Sequence, residues 1–160
     1  MFHATSHGAN LDSTALAAGA PLDTGFAVMR TQSGLDTNTI LNIIPRYLIV
    51  PSALEATALQ IANQNIVATT VANTNLYGPG GPRPLTVVSD GQLDGNSTTA
   101  WWLAAGQAQV DTVEVVFLQG EESPVLSREE GFSTDTLKYK IRQSFVVFAV
   151  DFRGLYQGNG

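Results

Sequence analysis

The run Leu41-Asn42-Ile43-Ile44-Pro45-Arg46-Tyr47-Leu48-Ile49-Val50-Pro51-Ser52-Ala53-Leu54-Glu55 decides the fold class. Tyr47 to Val50 is aromatic and β-branched with no polar alternation, which predicts a strand within 41–51 that is buried on both faces. Pro51-Ser52 stops it. Ser52 with Glu55 three residues on has capping-box spacing, in which each side chain satisfies a free backbone N–H of the other. Leu54, Ala58, Ile61 and Ala62 then fall on one face at helical spacing. A strand that turns directly into an amphipathic helix is the clearest local signal in the chain.

Toward the start, Pro21 suits the first turn of a helix, where its missing N–H is not needed. Leu22, Phe26 and Met29 recur at i, i+4 and i+7, and Gly34 fits the position past the end. The predicted helix is 21–33. Residues 1–20 are small and polar and are expected to be a weakly held lead-in.

Toward the end, Tyr77-Gly78-Pro79-Gly80-Gly81-Pro82-Arg83-Pro84 is too punctuated for a helix or strand and predicts a loop. Strands are expected at 85–88, at 99–104 with Trp101 and Trp102, and at 113–118. Residues 120–135 read as an acidic connection carrying Glu121, Glu122, Glu129, Glu130 and Asp135. The stretch 137–152 has no internal Gly or Pro and predicts one long strand. Its first half alternates, with Tyr139 and Ile141 opposite Lys138, Lys140 and Arg142. Its second half, Phe145 to Val150, is apolar on both faces. The strand is therefore expected to pass from a wet surface into a core. Leu48, Val50, Val115, Phe117, Phe145, Val147 and Ala149 are the expected core of one sheet. Helix, strand, helix and then several strands make an α+β class with a mostly antiparallel or mixed sheet.

The chain has 160 residues, which is one domain or one domain with an attached piece of another. It has no cysteine, which excludes disulfides, thiolate catalysis and cysteine-ligated metals. Eight Lys+Arg against 14 Asp+Glu give a net charge of −6, which argues against nucleic acid or an anionic membrane as main partner. Charged residues are only 14%, well under the usual fraction of about a quarter, so much of the surface is uncharged and readily desolvated against another subunit. No run approaches the roughly 18 apolar residues of a membrane span. The start lacks a basic region followed by an apolar one, so no signal peptide and a cytoplasmic address are expected.

The residues assemble no active site. His3 and His7 have the i, i+4 spacing of helical metal ligands, but Gly8 follows and no third ligand is near. Ser144 and Lys140 are too far apart along a strand to form a nucleophile and base. The adjacent carboxylates Glu121-Glu122 and Glu129-Glu130 point to opposite faces if extended, so they do not share a proton. The glycine loop at 78–81 lacks the strand before it and the Gly-Lys-Ser/Thr ending of a phosphate loop. Trp101 and Trp102 have the chemistry to stack on a sugar or base. The alternatives kept open are a small ligand-binding module using Trp101, Trp102 and Tyr77, and an enzyme of unknown class. No cofactor and no metal are expected.

Ile44 to Glu55 resembles a segment of tailed-phage and prophage major capsid proteins of the Mu-like group, which also occur fused behind a prohead protease. Ala100-Trp101-Trp102-Leu103-Ala104, Val110 to Val115 with Phe117-Leu118-Gln119-Gly120, Glu130-Gly131-Phe132, Lys138 to Arg142, and Ala149 to Tyr156 continue the resemblance in the same order. It implies part of the Hong Kong phage capsid fold. Residues 21–40 would end the spine helix of the peripheral domain. Residues 41–118 would form an axial-type domain with the 77–84 loop toward the capsomer axis, and 119–160 would return to the peripheral domain. It further implies the C-terminal half of a structural subunit without enzymatic activity, acting with other copies of itself and with the missing N-terminal half. The virion capsid, assembled in the host cytoplasm, is the implied location. No membrane and no specific nucleic-acid contact are implied. The candidate contact residues are Glu121, Glu122, Glu129, Glu130, Lys138, Lys140, Arg142 and Tyr77. The sharper expectation is that the acidic segment is mobile in the isolated chain and meets the Lys138/Lys140/Arg142 patch of another copy.

Overall fold

The computed structural model describes residues 10–36, 38–63, 76–131 and 136–160. The chain forms two compact units. One comprises the described residues up to Thr112 together with Asp151–Gly160, and the other is Val113–Val150. The boundaries of these units fall at 112/113 and 150/151.

The first unit is a mixed five-stranded sheet with helices packed on it. In chain order its elements are strand β1 (Leu11–Asp12), helix α1 (Ala20–Arg30), β2 (Pro45–Val50), helix α2 (Glu55–Asn63), β3 (Thr86–Ser89), β4 (Ala100–Ala105) and β9 (Leu155–Asn159). The spatial order is β1-β9-β4-β2-β3. The outer pairs β1/β9 and β2/β3 are parallel, and β4 is antiparallel to both β9 and β2. Leu48 lies opposite Leu103, Leu103 opposite Tyr156, and Trp101 opposite Gly158, so these residues share one face. That face meets α1, whose Leu22, Phe26 and Met29 join Leu48, Val50, Trp101, Leu103 and Tyr156 in one core. The approach is close enough to require a glycine: a Cβ on Gly25 would sit 2.7 Å from the Leu103 side chain. The tail residues 155–159, to which the sequence assigns no element, thus fill an inner place in the sheet.

Several expectations are corrected here. Residues 10–20 are not a loose lead-in. Asn10 is buried and its amide donates to the carbonyls of Phe152 and Leu155, β1 pairs with β9, and Leu16 is buried. Residues 1–9, with His3 and His7, lie outside the described residues. Helix α1 ends at Arg30 and not near 33, because the Thr31 hydroxyl turns back to the carbonyls of Ala27 and Val28 and Ser33 bridges to Ile40. The capping box does not form. Ser52–Leu54 is a 3₁₀ turn, the Ser52 hydroxyl bonds Asp94, and the α-helix begins at Glu55. Strand β2 is fully buried at Leu48 and Val50, Tyr47 and Ile49 on the other face are half-buried, and Arg46, where the register shifts between Pro45 and Tyr47, is exposed.

The second unit contains β5 (Val113–Phe117), β6 (Val125–Gly131), β7 (Thr136–Arg142) and β8 (Phe145–Ala149). β5 pairs with β8 and β6 with β7, both antiparallel, as two separate two-stranded ladders. Phe117 faces Phe145, while Val125 faces Arg142, so residues 118–124 on one strand stand against only Gln143 and Ser144 on the other. The single long strand expected at 137–152 is therefore two strands broken at this bulge. The segment expected to be a mobile acidic connection is in good part strand β6, paired residue for residue over Val125–Gly131. The expected burial of Val115, Phe117, Phe145, Val147 and Ala149 is also wrong: all are exposed, Phe145 at 61%. A two-stranded ladder has no second layer to bury its faces.

Candidate functional site: assembly surfaces

Strands β5 and β8 place Val113, Val115, Phe117, Phe145, Val147 and Ala149 on one face. Val116, Val146 and Phe148 occupy the other face with Glu114 as its only charge. The Phe117 and Phe145 rings stand 6.3 Å apart, within the range of a favourable tilted aromatic pair. Every large apolar side chain in these two strands is exposed, as are the flanking Leu118 and Val150. A contiguous apolar surface of this kind marks a contact site in a soluble protein.

Strands β6 and β7 have two unlike faces. Leu126, Leu137, Tyr139 and Ile141 share one with the Arg128–Glu130 ion pair, and all four are exposed. Ser127, Glu129, Lys138, Lys140 and Arg142 share the other. The ladder thus places the predicted acidic and basic candidates beside one another within one chain. Glu129 lies opposite Lys138, and Lys140 opposite Ser127. Glu121 pairs with Arg142 across the bulge. The Ser144 hydroxyl, followed by the Arg142 guanidinium, holds the Glu121 carboxyl below its ordinary range. Ser144 is engaged there and not with Lys140. Glu122 is exposed, with no ion-pair partner among the described residues.

Tyr77 is not a surface residue. It is buried, its ring lies 5.7 Å from that of Phe26, and its hydroxyl donates to Asp23 at 2.8 Å. Trp101 is fully buried as well. Its indole N–H donates to the Thr14 carbonyl at 3.0 Å and its ring lies 5.7 Å from Tyr156. A stacking site built on Tyr77, Trp101 and Trp102 is therefore corrected, since only half-buried Trp102 retains access to solvent.

One cleft of the first unit escaped the sequence. About 510 Å³ in volume, it lies between the start of β2, the loop before β3 and the turn after β4. Arg46 and Arg83 supply its charge, Pro45, Pro82 and Pro84 its rigid walls, and Gln109 a polar rim. Arg83 is anchored by an ion pair to Asp23 at 2.8 Å and by its position over the Phe26 ring, 5.2 Å from the centroid. Arg46 is exposed and has no acidic partner among the described residues. The Gln109 carbonyl oxygen accepts from the Ile44 N–H at 3.1 Å, which leaves its NH₂ free to donate. No carboxylate lines the cleft. Arg46, Arg83 and Gln109 are 26 to 63 positions apart in sequence, with no spacing to link them.

Among the described residues no cluster of His, Asp and Glu has the makings of a metal site, and no helix is long and apolar enough to cross a membrane. A family model described as phage capsid protein matches residues 2–158. No curated protein and no solved structure matches the chain.

Proposed function

This chain belongs to the phage capsid protein family, and from that premise we propose how it assembles. Its role is structural and its place is the virion capsid. The proposal is that copies self-associate into capsomers through the apolar ladder of β5 and β8. The observation that carries it is the exposure of Val113 to Phe117 and Phe145 to Ala149 on both faces of a two-stranded ladder. An isolated two-stranded ribbon is marginal in water, so another layer stabilises it. A low charge fraction favours the same outcome, since little desolvation cost opposes contact.

The finer reading follows the sequence resemblance. The chain acts as the C-terminal part of a Mu-like major capsid subunit with the Hong Kong phage capsid fold. Other copies and the N-terminal part of the subunit cover the ribbon, and assembly takes place in the host cytoplasm. Mixed α+β architecture and the match to a capsid family support this reading.

Val115 and Val147 face each other, so Val115→Lys with Val147→Glu charges the patch while leaving a favourable cross-strand pair. Sedimentation velocity should show concentration-dependent oligomers for the natural chain and monomers for the double variant, with the same far-ultraviolet circular dichroism. A natural chain that stays monomeric at all concentrations, or a double variant that associates equally well, refutes the proposal.

A further inference from the structure

We propose that the Arg46/Arg83 cleft is a receptor for the 118–124 bulge of a second copy, with Glu122 seated on the guanidinium groups and Leu118 against the proline walls. The inference deepens the self-association reading by adding a polar contact distinct from the apolar ladder.

Three observations carry it. The first is charge. In a chain of net charge −6, this cleft gathers two of only eight Lys+Arg and no lining carboxylate. Its groups are all poised to donate: Arg46, the N–H groups of Arg83 left over by Asp23, and the Gln109 amide. The second is that the bulge is built. The Leu118 N–H donates to the Ser144 carbonyl at 3.1 Å, the Glu121 N–H to the Leu118 carbonyl at 2.8 Å, and Gly120 adopts the left-handed φ of 83° that closes the turn. Glu121 is turned into that shape, its Oε1 paired with Arg142 and its side chain only 11% exposed. Glu122 is left over, next to an exposed Leu118. The third is complementarity. A loop that offers one carboxylate and one aliphatic side chain matches a cleft that offers guanidinium donors and proline rings. Among the described residues, the other carboxylates of the second unit fit less well. Glu114 stands within the apolar ladder opposite Phe148, Glu129 faces Lys138, and Glu130 is paired with Arg128.

The test is a charge exchange in the full chain. Arg46→Glu and Glu122→Arg should each weaken association about fivefold, near the upper end for one exposed ion pair, and more at low salt than at high salt. The chain carrying both substitutions should regain most of the natural affinity, because the pair is re-formed with its signs reversed. Melting temperatures should not change. Isotope-labelled Glu122→Gln chain, titrated with the unlabelled natural chain while amide resonances are followed, should shift at Arg46, Arg83 and Gln109, and titration with unlabelled Glu122→Gln chain should shift them less. Normal association of both single variants, or a double variant weaker than either, overturns the inference and leaves the apolar ladder as the contact. If the natural chain proves monomeric in sedimentation, the self-association reading fails, and this titration decides the present one: no shift at Arg46 and Gln109 overturns it, and a Glu122-dependent shift sustains it.

Discussion

Gly158 lies opposite Trp101 in the middle of the sheet, and a Cβ there would come within 2.2 Å of the indole ring. The ring cannot retreat, because its N–H is tied to Thr14 and its face to Tyr156. Gly158→Ala should therefore destabilise by about 1–3 kcal/mol, the usual cost of overpacking, measured by chemical denaturation. Two tyrosines make a second prediction. Burial, then the hydrogen bond to Asp23, pushes the Tyr77 hydroxyl well above its ordinary pKa, and burial with Asp12 does the same for Tyr156. A group whose folded pKa is raised contributes stability that is complete below its unfolded pKa and is lost as pH rises beyond it. The melting temperature should hold up to about pH 10, the ordinary tyrosine value, and fall above it. Tyr77→Phe should blunt that fall.

At the scale of elements, the ladder of β5 and β8 and the sheet of the first unit respond differently to truncation. Leu103 is fully buried, and Leu103→Ala should cost about 2–5 kcal/mol in the monomer. Phe145 is 61% exposed, so Phe145→Ala should leave monomer stability nearly unchanged and reduce association. Equal losses of monomer stability would place Phe145 in a core. The same contrast separates what the sequence discloses from what it hides. The strand and helix of 45–63 and the strand at Trp101 were legible because runs of β-branched and aromatic residues and a helical stripe are local patterns. Phe145 to Ala149 carries the same local signature as β2, and nothing in the sequence says that one has a helix over it and the other does not. The capping box failed for a non-local reason too, since Ser52 was drawn away by Asp94, 42 positions on. Arg46 and Arg83 meet only through the sheet, so no motif announced their cleft.

For the whole molecule, the division at 112/113 and 150/151 predicts a division in stability. Backbone amides of β2, β4 and β9 lie in a sheet with a packed core, whereas those of β5 to β8 have little apolar cover. Hydrogen exchange of the dilute chain should be slow in the first set and fast in the second. In assembled material the second set should slow markedly. Uniform protection in the dilute chain would show that the ribbon needs no partner.

The placement of β9 has a consequence in time. Strand β9 sits between β1 and β4, yet it is translated after the whole ribbon of β5 to β8. At about 5–20 residues per second, the ten residues from Ala149 to Asn159 take about 0.5–2 s, so the ribbon is made shortly before the strand that joins β1 to β4. During that interval β1 has no partner in the sheet, and the ribbon's valines and phenylalanines emerge from the exit tunnel beside an unfinished fold. An exposed apolar ribbon is therefore made before the sheet that β9 completes. A chaperone that shields short apolar hairpins would have its greatest effect in that interval.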